Sequence, residues 1–469
     1  MIPLSLAEIA SCCKAVVEGE APLSRRVSVV SSDTRTLGTG SLFVALKGDR
    51  YDGHAFLQEA ANQGAIAAVV STVSQKAPLP LLVVDDTLAS LGAIARRVRE
   101  LSKARVVGVT GSVGKTTTKE MVSLVLGTAF TVLKSSANEN NEIGVSSTLL
   151  KLDESHGAAV VEMAMRGPGE IEWLSRVAQP DVALITNIGT SHIGRLGSRE
   201  AIADAKAEIF GGLRPGGMAI LNRDDPFFDR LVDRLVSGND RVLPKPGLLS
   251  FGLDDRADVR AMEVDDRGLL GVRFICRTPR GEAEVNLGRG GQHLVIDSLA
   301  AAAAGIALGV CPEAAARALG GFSAGAGRGA SHTMAGGALV VDDAYNASPD
   351  SVEAALALLA ATPGCPRRLA VLGDMLEMGE YAEEGHRRVG RVAATSQVEK
   401  LVCVGLESRA MADEAVRAGL PSESVLWYPD SRACASDAAA WSPGADLILI
   451  KGSNGTRMGV IVEALMGPQ

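Results

Sequence analysis

The chain has 469 residues, of which 46% are hydrophobic and 22% are charged. At roughly 100–200 residues per domain, this length predicts about three domains, and the composition excludes disordered, fibrous and low-complexity classes. The net charge is −8, from 47 basic and 55 acidic residues, without a dense Lys/Arg tract. The charge therefore argues against a general nucleic-acid-binding protein, and any anionic substrate must be held by local sites.

The first 84 residues alternate short apolar runs with turn residues. The pattern predicts strands over residues 26–31, 41–46, 66–70 and 81–84, with a helix over residues 54–63. We expect a small α/β domain over residues 1–84. Asp86 is a suitable N-cap for a helix that runs to residue 101 and links this domain to the next.

The second domain is predicted over residues 85–322. A β-branched run at 105–109 enters a glycine-containing loop and then a helix over 115–126, which is half of a βαβ unit. Further predicted elements are strands at 158–161 and 182–186 and helices at 201–210, 297–308 and 313–319. Strand-like runs over 218–292, including a hairpin of 272–276 with 284–287, predict an antiparallel subsheet attached to a mostly parallel sheet.

The third domain is predicted over residues 323–469, after a boundary inside the glycine-rich stretch 320–329. Strands are predicted at 339–341, 369–372, 401–404, 425–427 and 447–450, alternating with helical stretches. Such alternation is typical of a doubly wound parallel sheet. The predicted fold class is therefore α/β with three domains.

The cellular context follows from what the sequence lacks. The longest apolar run, residues 299–310, is shorter than the ~20 residues that a membrane span needs. The N-terminus has no basic region that leads into an apolar stretch, so we expect no secretory signal and a cytoplasmic protein. The seven cysteines are an odd number without metal-type spacing, which favours reduced thiols.

The strongest motif is a strand, a loop and a helix start at residues 106–117. The loop contains Gly111, Ser112, Val113 and Gly114 and is followed by Lys115, Thr116 and Thr117. Such a loop points backbone N–H groups and the positive end of a helix dipole at a phosphate, while the Lys reaches the β/γ-phosphates and Thr116 binds Mg²⁺. Val109 occupies the position of the first P-loop glycine. The alternative is a glycine-rich turn with a solvated lysine.

Other polar residues follow predicted strands, where open α/β sheets bind ligands. Glu162 follows one strand, and Asn187 and His192 follow another. A carboxylate and an imidazole beside a P-loop can hold a divalent ion, although His192 taken alone is more typical of a hydrogen-bonded loop residue than of a ligand. Lys206, considered alone, is typical of a solvated charged residue on a helix. The pair Asp342–Asp343 is either a ligand site or a cap for the helix that follows.

Across essentially the whole chain the sequence resembles the Mur ligase family. The matching blocks, in order, are SSDTR (31–35), LFVALKGDRYDGH (42–54), TGSVGKTT (110–117), NNEIG (140–144), ITNIGTSH (185–192), AKAEI (205–209), DDAYNASPDS (342–351), LGDMLEM (372–378) and KGS (451–453). The resemblance implies a small UDP-sugar-binding domain, a central P-loop ATPase domain and a Rossmann-like C-terminal domain. The NNEIG, DDAYNASPDS and LGDMLEM blocks resemble the branch of the family that adds D-alanyl-D-alanine.

The resemblance implies a ligase of peptidoglycan precursor synthesis. ATP would phosphorylate the terminal carboxylate of UDP-N-acetylmuramoyl tripeptide, and the amine of D-alanyl-D-alanine would displace phosphate from the acyl phosphate. The expected partners are these small molecules, with no nucleic acid and no membrane span, and the expected oligomeric state is a monomer. The alternatives are a sister ligase that consumes a different amine and a nucleotide-binding protein that has lost catalysis.

The resemblance also implies roles for individual residues, of which Lys115, Lys206, His192 and Glu162 are the catalytic ones. Thr116 and Glu162 would hold one Mg²⁺ ion, and His192 would hold a second with Lys206, the latter as a carbamate formed from CO₂. The further residues matched to ATP are Gly111, Ser112, Val113, Gly114, Thr117, Asn138, Asp297, Arg328 and Asp343. Those matched to substrate are Ser32, Asp33, Arg35, Asn141 and Asn346.

Three positions depart from the family pattern. Ala164 replaces a glycine, and we expect this change to be tolerated. Asp297 replaces an amide of the adenine-binding segment, and an ionised carboxylate can only accept hydrogen bonds, whereas an amide also donates. Asn454 stands where the family often has Arg, so we expect that a substrate or phosphate contact is either missing or supplied by Arg457.

Overall fold

The computed structural model describes residues 1–48, 51–73, 77–136, 139–238, 244–323, 325, 327–334 and 336–467. Its strands form sheets of five, nine and six strands and one two-stranded pair, and helices flank the three larger sheets. The predicted α/β fold class with three sheet-centred parts is therefore confirmed. The residue boundaries proposed at 84/85 and 322/323 stay predictions.

The N-terminal part is built on the five-stranded sheet, in the order β2-β7-β6-β5-β4. The predicted single strand over residues 26–31 is wrong, because its two halves pair with different neighbours: β3 with β1, and β4 with β5. The predicted helix over 54–63 begins with a 3₁₀ turn. The elements are β1 (Leu4–Ser5), α1 (Leu6–Cys13), β2 (Val16–Glu18), β3 (Arg26–Val27), β4 (Val30–Ser31), β5 (Ser41–Val44), a 3₁₀ turn (Gly53–Phe56), α2 (Leu57–Asn62), β6 (Ala65–Val70) and β7 (Leu81–Val83).

A long helix, α3 (Thr87–Leu101), follows this sheet. Its predicted cap is confirmed, since the Asp86 carboxylate accepts hydrogen bonds from the N–H groups of Leu88 and Ala89. Arg99 on this helix is fully buried and forms an ion pair with Asp181 at 2.7 Å. The Arg99 guanidinium also donates to the carbonyl oxygens of Ala104, Ala178 and Gln179. These bonds attach α3 to the central part of the molecule.

The central part carries the nine-stranded sheet. Its strands are β8 (Arg105–Thr110), β9 (Val132–Lys134), β10 (Ala158–Glu162), β11 (Val182–Ile185), β12 (Met218–Asn222), β13 (Gly247–Gly252), β14 (Val259–Asp266), β15 (Val272–Thr278) and β16 (Gly281–Leu287). Its helices are α4 (Lys115–Leu126), α5 (Glu142–Leu149), α6 (Glu170–Ala178), α7 (Ile193–Leu196), α8 (Arg199–Ala207), α9 (Phe228–Gly238), α10 (Gln292–Ala307) and α11 (Pro312–Gly320).

The order of this sheet is β16-β15-β14-β13-β12-β11-β8-β10-β9. All pairs from β9 to β14 are parallel, and the predicted hairpin of β15 and β16 is confirmed as antiparallel. The predicted antiparallel subsheet is thus smaller than residues 218–292, because β12 and β13 continue the parallel sheet. Helix α10 begins at Gln292 rather than at residue 297, so Asp297 lies in its second turn.

The C-terminal part is a six-stranded sheet in the order β17-β18-β22-β19-β20-β21. Only β17 is antiparallel, so the predicted doubly wound parallel sheet is confirmed. The elements are β17 (Ala330–Thr333), β18 (Leu339–Asp343), α12 (Pro349–Ala361), β19 (Arg368–Gly373), a 3₁₀ turn (Gly379–Tyr381), α13 (Ala382–Thr395), β20 (Lys400–Val404), α14 (Arg409–Arg417), β21 (Val425–Tyr428), α15 (Ser431–Ser436), α16 (Ala438–Trp441), β22 (Leu447–Lys451) and α17 (Gly459–Met466).

Buried aliphatic side chains cover both faces of the two larger sheets. Strands β8, β10 and β11 are adjacent and parallel, so their carboxyl ends meet at one edge of the central sheet. The predicted P-loop follows β8, Glu162 is the last residue of β10, and the loop after β11 carries His192. The fold therefore brings together the residues expected at the site, at the edge where α/β sheets bind ligands.

Candidate active site

The loop between β8 and α4 has a backbone conformation that requires glycine at two positions. Gly111 has φ +151° and Gly114 has φ +84°, both in the region that side chains other than glycine rarely adopt. A Cβ at Gly114 would lie 2.5 Å from Oδ1 of Asp297, and one at Gly111 would lie 1.8 Å from Oγ1 of Thr186. The loop turns sharply into α4, whose first turn holds Thr117, and presents backbone N–H groups suited to a phosphate.

The residues that follow β11 brace this loop. Asn187 accepts a hydrogen bond from the N–H of Val113 at 3.0 Å and donates to its carbonyl oxygen at 2.9 Å. Thr186 donates to the same carbonyl oxygen, and the Ser112 hydroxyl accepts from the N–H of Gly189 at 2.9 Å. Asn187, a candidate ligand residue in the sequence, thus fixes the loop conformation.

The side chain of Lys115 folds back over the loop. Its Nζ donates to the carbonyl oxygens of Gly111 at 2.8 Å and Ser112 at 3.2 Å. Burial lowers the pKa of Lys115, an effect that the nearby Glu162 opposes and Arg328 reinforces. The amine is therefore held at the mouth of the loop, where it can reach a bound phosphate.

Glu162 ends β10 with only 2% of its surface exposed. Thr116 Oγ1 donates to its Oε2 at 2.9 Å, and Asn140 Nδ2 donates to its Oε1 at 2.9 Å. The ammonium of the fully buried Lys119 lies 3.6 Å from the same Oε2. Mg²⁺ binds carboxylate and hydroxyl oxygens. The adjacent oxygens of Glu162 and Thr116 therefore fit a Mg²⁺ site that phosphate oxygens would complete. Within the described residues, no group of three or more His, Cys, Asp or Glu forms a closed metal site.

Lys206 and His192 lie beside the same loop. Lys206 on α8 is 2% exposed, and its Nζ donates to the Gly111 carbonyl oxygen at 2.8 Å. Burial and the proximity of Lys115 hold the pKa of Lys206 well below its usual value. Burial, Lys115 and Lys206 lower the pKa of His192 to about 4, and only Glu377 among its principal neighbours opposes the shift. The four residues matched to catalysis are thus brought together. The surroundings of Lys206 and His192 favour the neutral forms of these two side chains.

Asp297 lies beneath the loop. It is 5% exposed, and its Oδ1 accepts a hydrogen bond from Thr118 Oγ1 at 3.1 Å. Burial raises the pKa of Asp297 to about 8, against which the Thr118 bond acts only in part. A protonated carboxyl group can donate a hydrogen bond as well as accept one, as the amide of the family pattern does.

The C-terminal part contributes a second set of predicted residues. Asp343 ends β18 and accepts a hydrogen bond from Nζ of Lys451 at 2.7 Å. The Arg328 guanidinium stacks on the ring of Tyr345 at 3.9 Å and lies close enough to Lys115 to lower its pKa. Asn346 is exposed, and its carbonyl oxygen accepts a hydrogen bond from Lys451. Asn454 and Arg457, the positions that depart from the family pattern, are both exposed.

Other predicted residues lie apart or have structural roles. Ser32, Asp33 and Arg35 follow β4 in the N-terminal part, where Asp33 pairs with Arg35 at 2.7 Å, which lowers the pKa of Asp33. Asn141 caps α5 by accepting a hydrogen bond from the N–H of Gly144. Asn138 lies outside the described residues.

The central and C-terminal parts are docked directly beside the loop. Asp350 Oδ2 accepts hydrogen bonds from both the N–H and the hydroxyl of Thr190 at 3.0 Å. Tyr381 donates its hydroxyl to the Gly197 carbonyl oxygen at 2.9 Å. A Cβ at Gly194 would lie 2.6 Å from the backbone of Met378, so the two surfaces touch through backbone.

Four residues that matter here were not singled out from the sequence: Lys119, Asn140, Asp350 and Glu377. Each lies within or next to a motif that was recognised, but its partner lies on a different element. The signal was therefore the motif itself, while the pairing of side chains depends on the tertiary structure. Lys119, for example, follows the loop by one helical turn and reaches the end of β10.

Comparison with known proteins adds an independent line of argument. Three family models match: the Mur ligase middle domain at residues 109–305, the Mur ligase glutamate ligase domain at 327–454 and the Mur ligase family catalytic domain at 26–112. Curated relatives of the chain carry the name UDP-N-acetylmuramoyl-tripeptide–D-alanyl-D-alanine ligase. The one from Bacillus subtilis is 35% identical over 99% of each chain, and the one from Escherichia coli is 36% identical over 88% of each chain.

Solved structures agree with these relatives. MurF from Acinetobacter baumannii has a TM-score of 0.89 and 30% identity, with 99% of both chains covered. MurF ligase from Thermotoga maritima in complex with ADP has a TM-score of 0.79 and 27% identity, covering 93% of this chain and 97% of that one.

Proposed function

The chain belongs to the Mur ligase family, and from this premise we propose that it is an ATP-dependent ligase that joins D-alanyl-D-alanine to UDP-N-acetylmuramoyl tripeptide in peptidoglycan precursor synthesis. The observation that carries the proposal is the gathering of Lys115, Lys206, His192 and Glu162 around the glycine loop. A sister ligase would share this chemistry, but the full-length relatives at 33–36% identity share the name of the D-alanyl-D-alanine ligase.

The nucleotide phosphates would lie along residues 111–117. The backbone N–H groups at the start of α4 and the Lys115 amine would then face the transferring phosphoryl group, which is supported by the position of Lys115 Nζ over the loop. Arg328 approaches from the C-terminal part and adds positive charge next to Lys115. Asp297 and Asp343 would contact the nucleoside, together with Asn138.

Thr116 and Glu162 would hold one Mg²⁺ ion, and His192 with Lys206 would hold a second. Mg²⁺ supplies charge neutralisation to the phosphates and to the carboxylate being phosphorylated. Lys206 can take part only as an anion, and a carbamate formed with CO₂ would provide one. The buried amine suits this reaction, because the shift in its pKa favours the unprotonated form that has a free electron pair.

The reaction needs alignment more than covalent participation by the protein. A carboxylate is a poor acyl donor until phosphorylation gives it a leaving group, and the amine must then attack before water does. The direct docking of the central and C-terminal parts next to the loop would exclude water from that intermediate. Ser32, Asp33 and Arg35 would bind the UDP-sugar end of the substrate, with Asn141 and Asn346 near its peptide.

The proposed location is the cytoplasm, and the proposed oligomeric state is a monomer. In the part of the chain that the structure describes, no helix combines the length and the apolar character needed to cross a membrane. The substrates of the proposed reaction are charged, water-soluble nucleotides and peptides, which are compatible with this location.

The test is phosphate release from ATP in the presence of UDP-N-acetylmuramoyl tripeptide, with and without D-alanyl-D-alanine. We expect release that requires both substrates and that falls at least about 100-fold in Lys115→Ala, because the loop then lacks its phosphate-binding cation. Lys103→Ala, at an exposed position before β8, is the matched control and should retain full activity. Release with a different amine alone would identify a sister activity, and ATP binding without release would identify a non-catalytic protein.

A further inference from the structure

Glu377 brings a carboxylate from the C-terminal part to the edge of the active site. It precedes the 3₁₀ turn Gly379–Tyr381, and its Oε2 lies 3.3 Å from Nδ1 of His192. Both residues have positive φ, +64° for Glu377 and +66° for His192. A left-handed conformation is unfavourable for a residue other than glycine, and such strain concentrates at functional sites.

The contact between Glu377 and His192 is not a stable salt bridge. His192 lies in the loop between β11 and α7. Its Nδ1 is buried and, among the described residues, has no hydrogen-bond partner, so the 3.3 Å approach lacks the alignment of a hydrogen bond. The Glu377 side chain is 52% exposed and is therefore accessible to a ligand.

Other carboxylates near the loop are already engaged. Glu162 accepts hydrogen bonds from Thr116 and Asn140, and it would bind Mg²⁺ in the function proposed above. Asp343 is paired with Lys451, and Asp350 accepts two hydrogen bonds from Thr190 across the docked surfaces. Glu377 differs from these three because, among the described residues, its carboxylate forms no aligned hydrogen bond with the imidazole that it approaches.

Two cationic side chains lie near this position. Lys115 and Arg195 are close enough to His192 to lower its pKa, and Glu377 is the group that opposes them. The incoming dipeptide carries an ammonium group in solution, and this group must approach the same region. After it gives up a proton, which a carboxylate beside it can accept and pass to water, the amine nitrogen bonds to the acyl carbon while the bond to the phosphate oxygen breaks and phosphate leaves. An ammonium group placed among these cations is repelled unless a carboxylate receives it.

We propose that Glu377 binds the ammonium group of the incoming D-alanyl-D-alanine and holds its nitrogen beside the acyl phosphate, an inference that rests on the ligase function proposed above. The carboxylate arrives on the C-terminal part, so the dipeptide site is complete only when the two parts are docked. Glu377 is thus a substrate-binding residue for the second half-reaction and has no part in the transfer of phosphate from ATP.

The experiment separates the two half-reactions. Hydroxylamine is uncharged at neutral pH and traps an acyl phosphate as a hydroxamate without needing a carboxylate. In Glu377→Gln we expect the KM for D-alanyl-D-alanine to rise about tenfold or more, while hydroxamate formation from ATP and UDP-N-acetylmuramoyl tripeptide stays within about twofold of wild type. Glu380→Gln, at an exposed position three residues away, is the matched control and should change neither quantity.

Several results would overturn the inference. An unchanged KM for the dipeptide in Glu377→Gln would show that the carboxylate does not receive the ammonium group. A parallel loss of hydroxamate formation, or a raised Mg²⁺ requirement, would place Glu377 in phosphoryl transfer instead. If the wild-type chain forms neither hydroxamate nor pentapeptide, the proposed function fails and the inference fails with it.

Discussion

Nζ of Lys206 lies 2.8 Å from the carbonyl oxygen of Gly111, the same oxygen that accepts a hydrogen bond from Lys115. Two lysines that share one acceptor in a buried site cannot easily both be charged, and the lowered pKa values of both side chains agree with this. The pairing has a chemical consequence, since a neutral lysine amine can add CO₂ whereas an ammonium cannot.

The first prediction concerns this modification. Protein incubated with ¹³C-bicarbonate should show a carbamate signal by NMR that is absent in Lys206→Ala, and that variant should lose about 100-fold or more in ligase rate. Lys103→Ala is again the control and should keep both the signal and the rate. A wild-type rate that is unchanged after removal of CO₂, with no carbamate signal, would contradict the proposed role.

The second prediction concerns the buried cation beneath Glu162. Nζ of Lys119 lies 3.6 Å from Oε2 of Glu162 and 3.3 Å from Oε1 of Glu120. Lys119→Met should lower the free energy of unfolding by about 3 kcal/mol, because it takes positive charge away from a buried carboxylate. Mg²⁺ should then raise the melting temperature of the variant more than that of wild type, since the ion replaces the lost charge. An equal effect of Mg²⁺ on both proteins would separate Lys119 from the metal site.

The third prediction concerns pH. Asp297 titrates near pH 8 in the folded chain but near 3.8 when exposed, so between these values the folded state holds a proton that the unfolded state has lost. The contribution of Asp297 to the free energy of unfolding therefore falls as pH rises through this window. His192 and His293, whose pKa values lie near 4, change the free energy of unfolding in the opposite direction. Because the wild type and an Asp297 variant both contain these histidines, their effect cancels when the two proteins are compared.

Asp297→Asn removes the titration while keeping the shape of the side chain. The melting temperature of the variant relative to wild type should rise steadily between about pH 5 and about pH 8 and then level off. Parallel melting curves over the whole range would show that Asp297 does not carry a raised pKa.

The fourth prediction tests the docked arrangement. A Cβ at Gly194 would lie 2.6 Å from the Met378 carbonyl carbon and 2.7 Å from the Gly379 nitrogen. Gly194→Ala should push the two parts away from each other and reduce the ligase rate about tenfold or more, while ATP affinity changes little. Gly238→Ala, where a Cβ meets nothing within 4 Å, is the control. Small-angle scattering should show a larger radius of gyration for Gly194→Ala only, and a native radius with native activity would contradict the prediction.

The fold was largely predictable because its strongest signals are local. The β-branched run before the loop, the two loop glycines and the helix that follows predict the β8–α4 unit, and the structure has it at the expected residues. The start of α3 was predictable for the same reason, since Asp86 is a side-chain cap. Helix α10 was placed too late, because it begins after Gly291, which offers no capping side chain.

The site was predictable as a set of residues but not as a set of contacts. The sequence favoured Asn141, and the structure uses its side chain to cap α5 while the neighbouring Asn140 reaches Glu162. Asn140 and Asn141 are adjacent in the chain, and the packing of α5 against the end of β10 determines which of the two amides faces the Glu162 carboxylate. Glu377 likewise meets His192 only because two separate sheets dock.

The anchoring of α3 by Arg99 determines where the molecule can be divided. The guanidinium is 0% exposed and bonds to Asp181 and to three carbonyl oxygens of the central part, so α3 moves with that part even though it follows the N-terminal sheet. Any joint that reorients the N-terminal sheet relative to the central part must therefore lie before Thr87. A chain shortened to begin at residue 85 keeps this buried cation, whereas one shortened to begin at residue 103 leaves Asp181 without its Arg99 partner and is a poor choice for dissecting the enzyme.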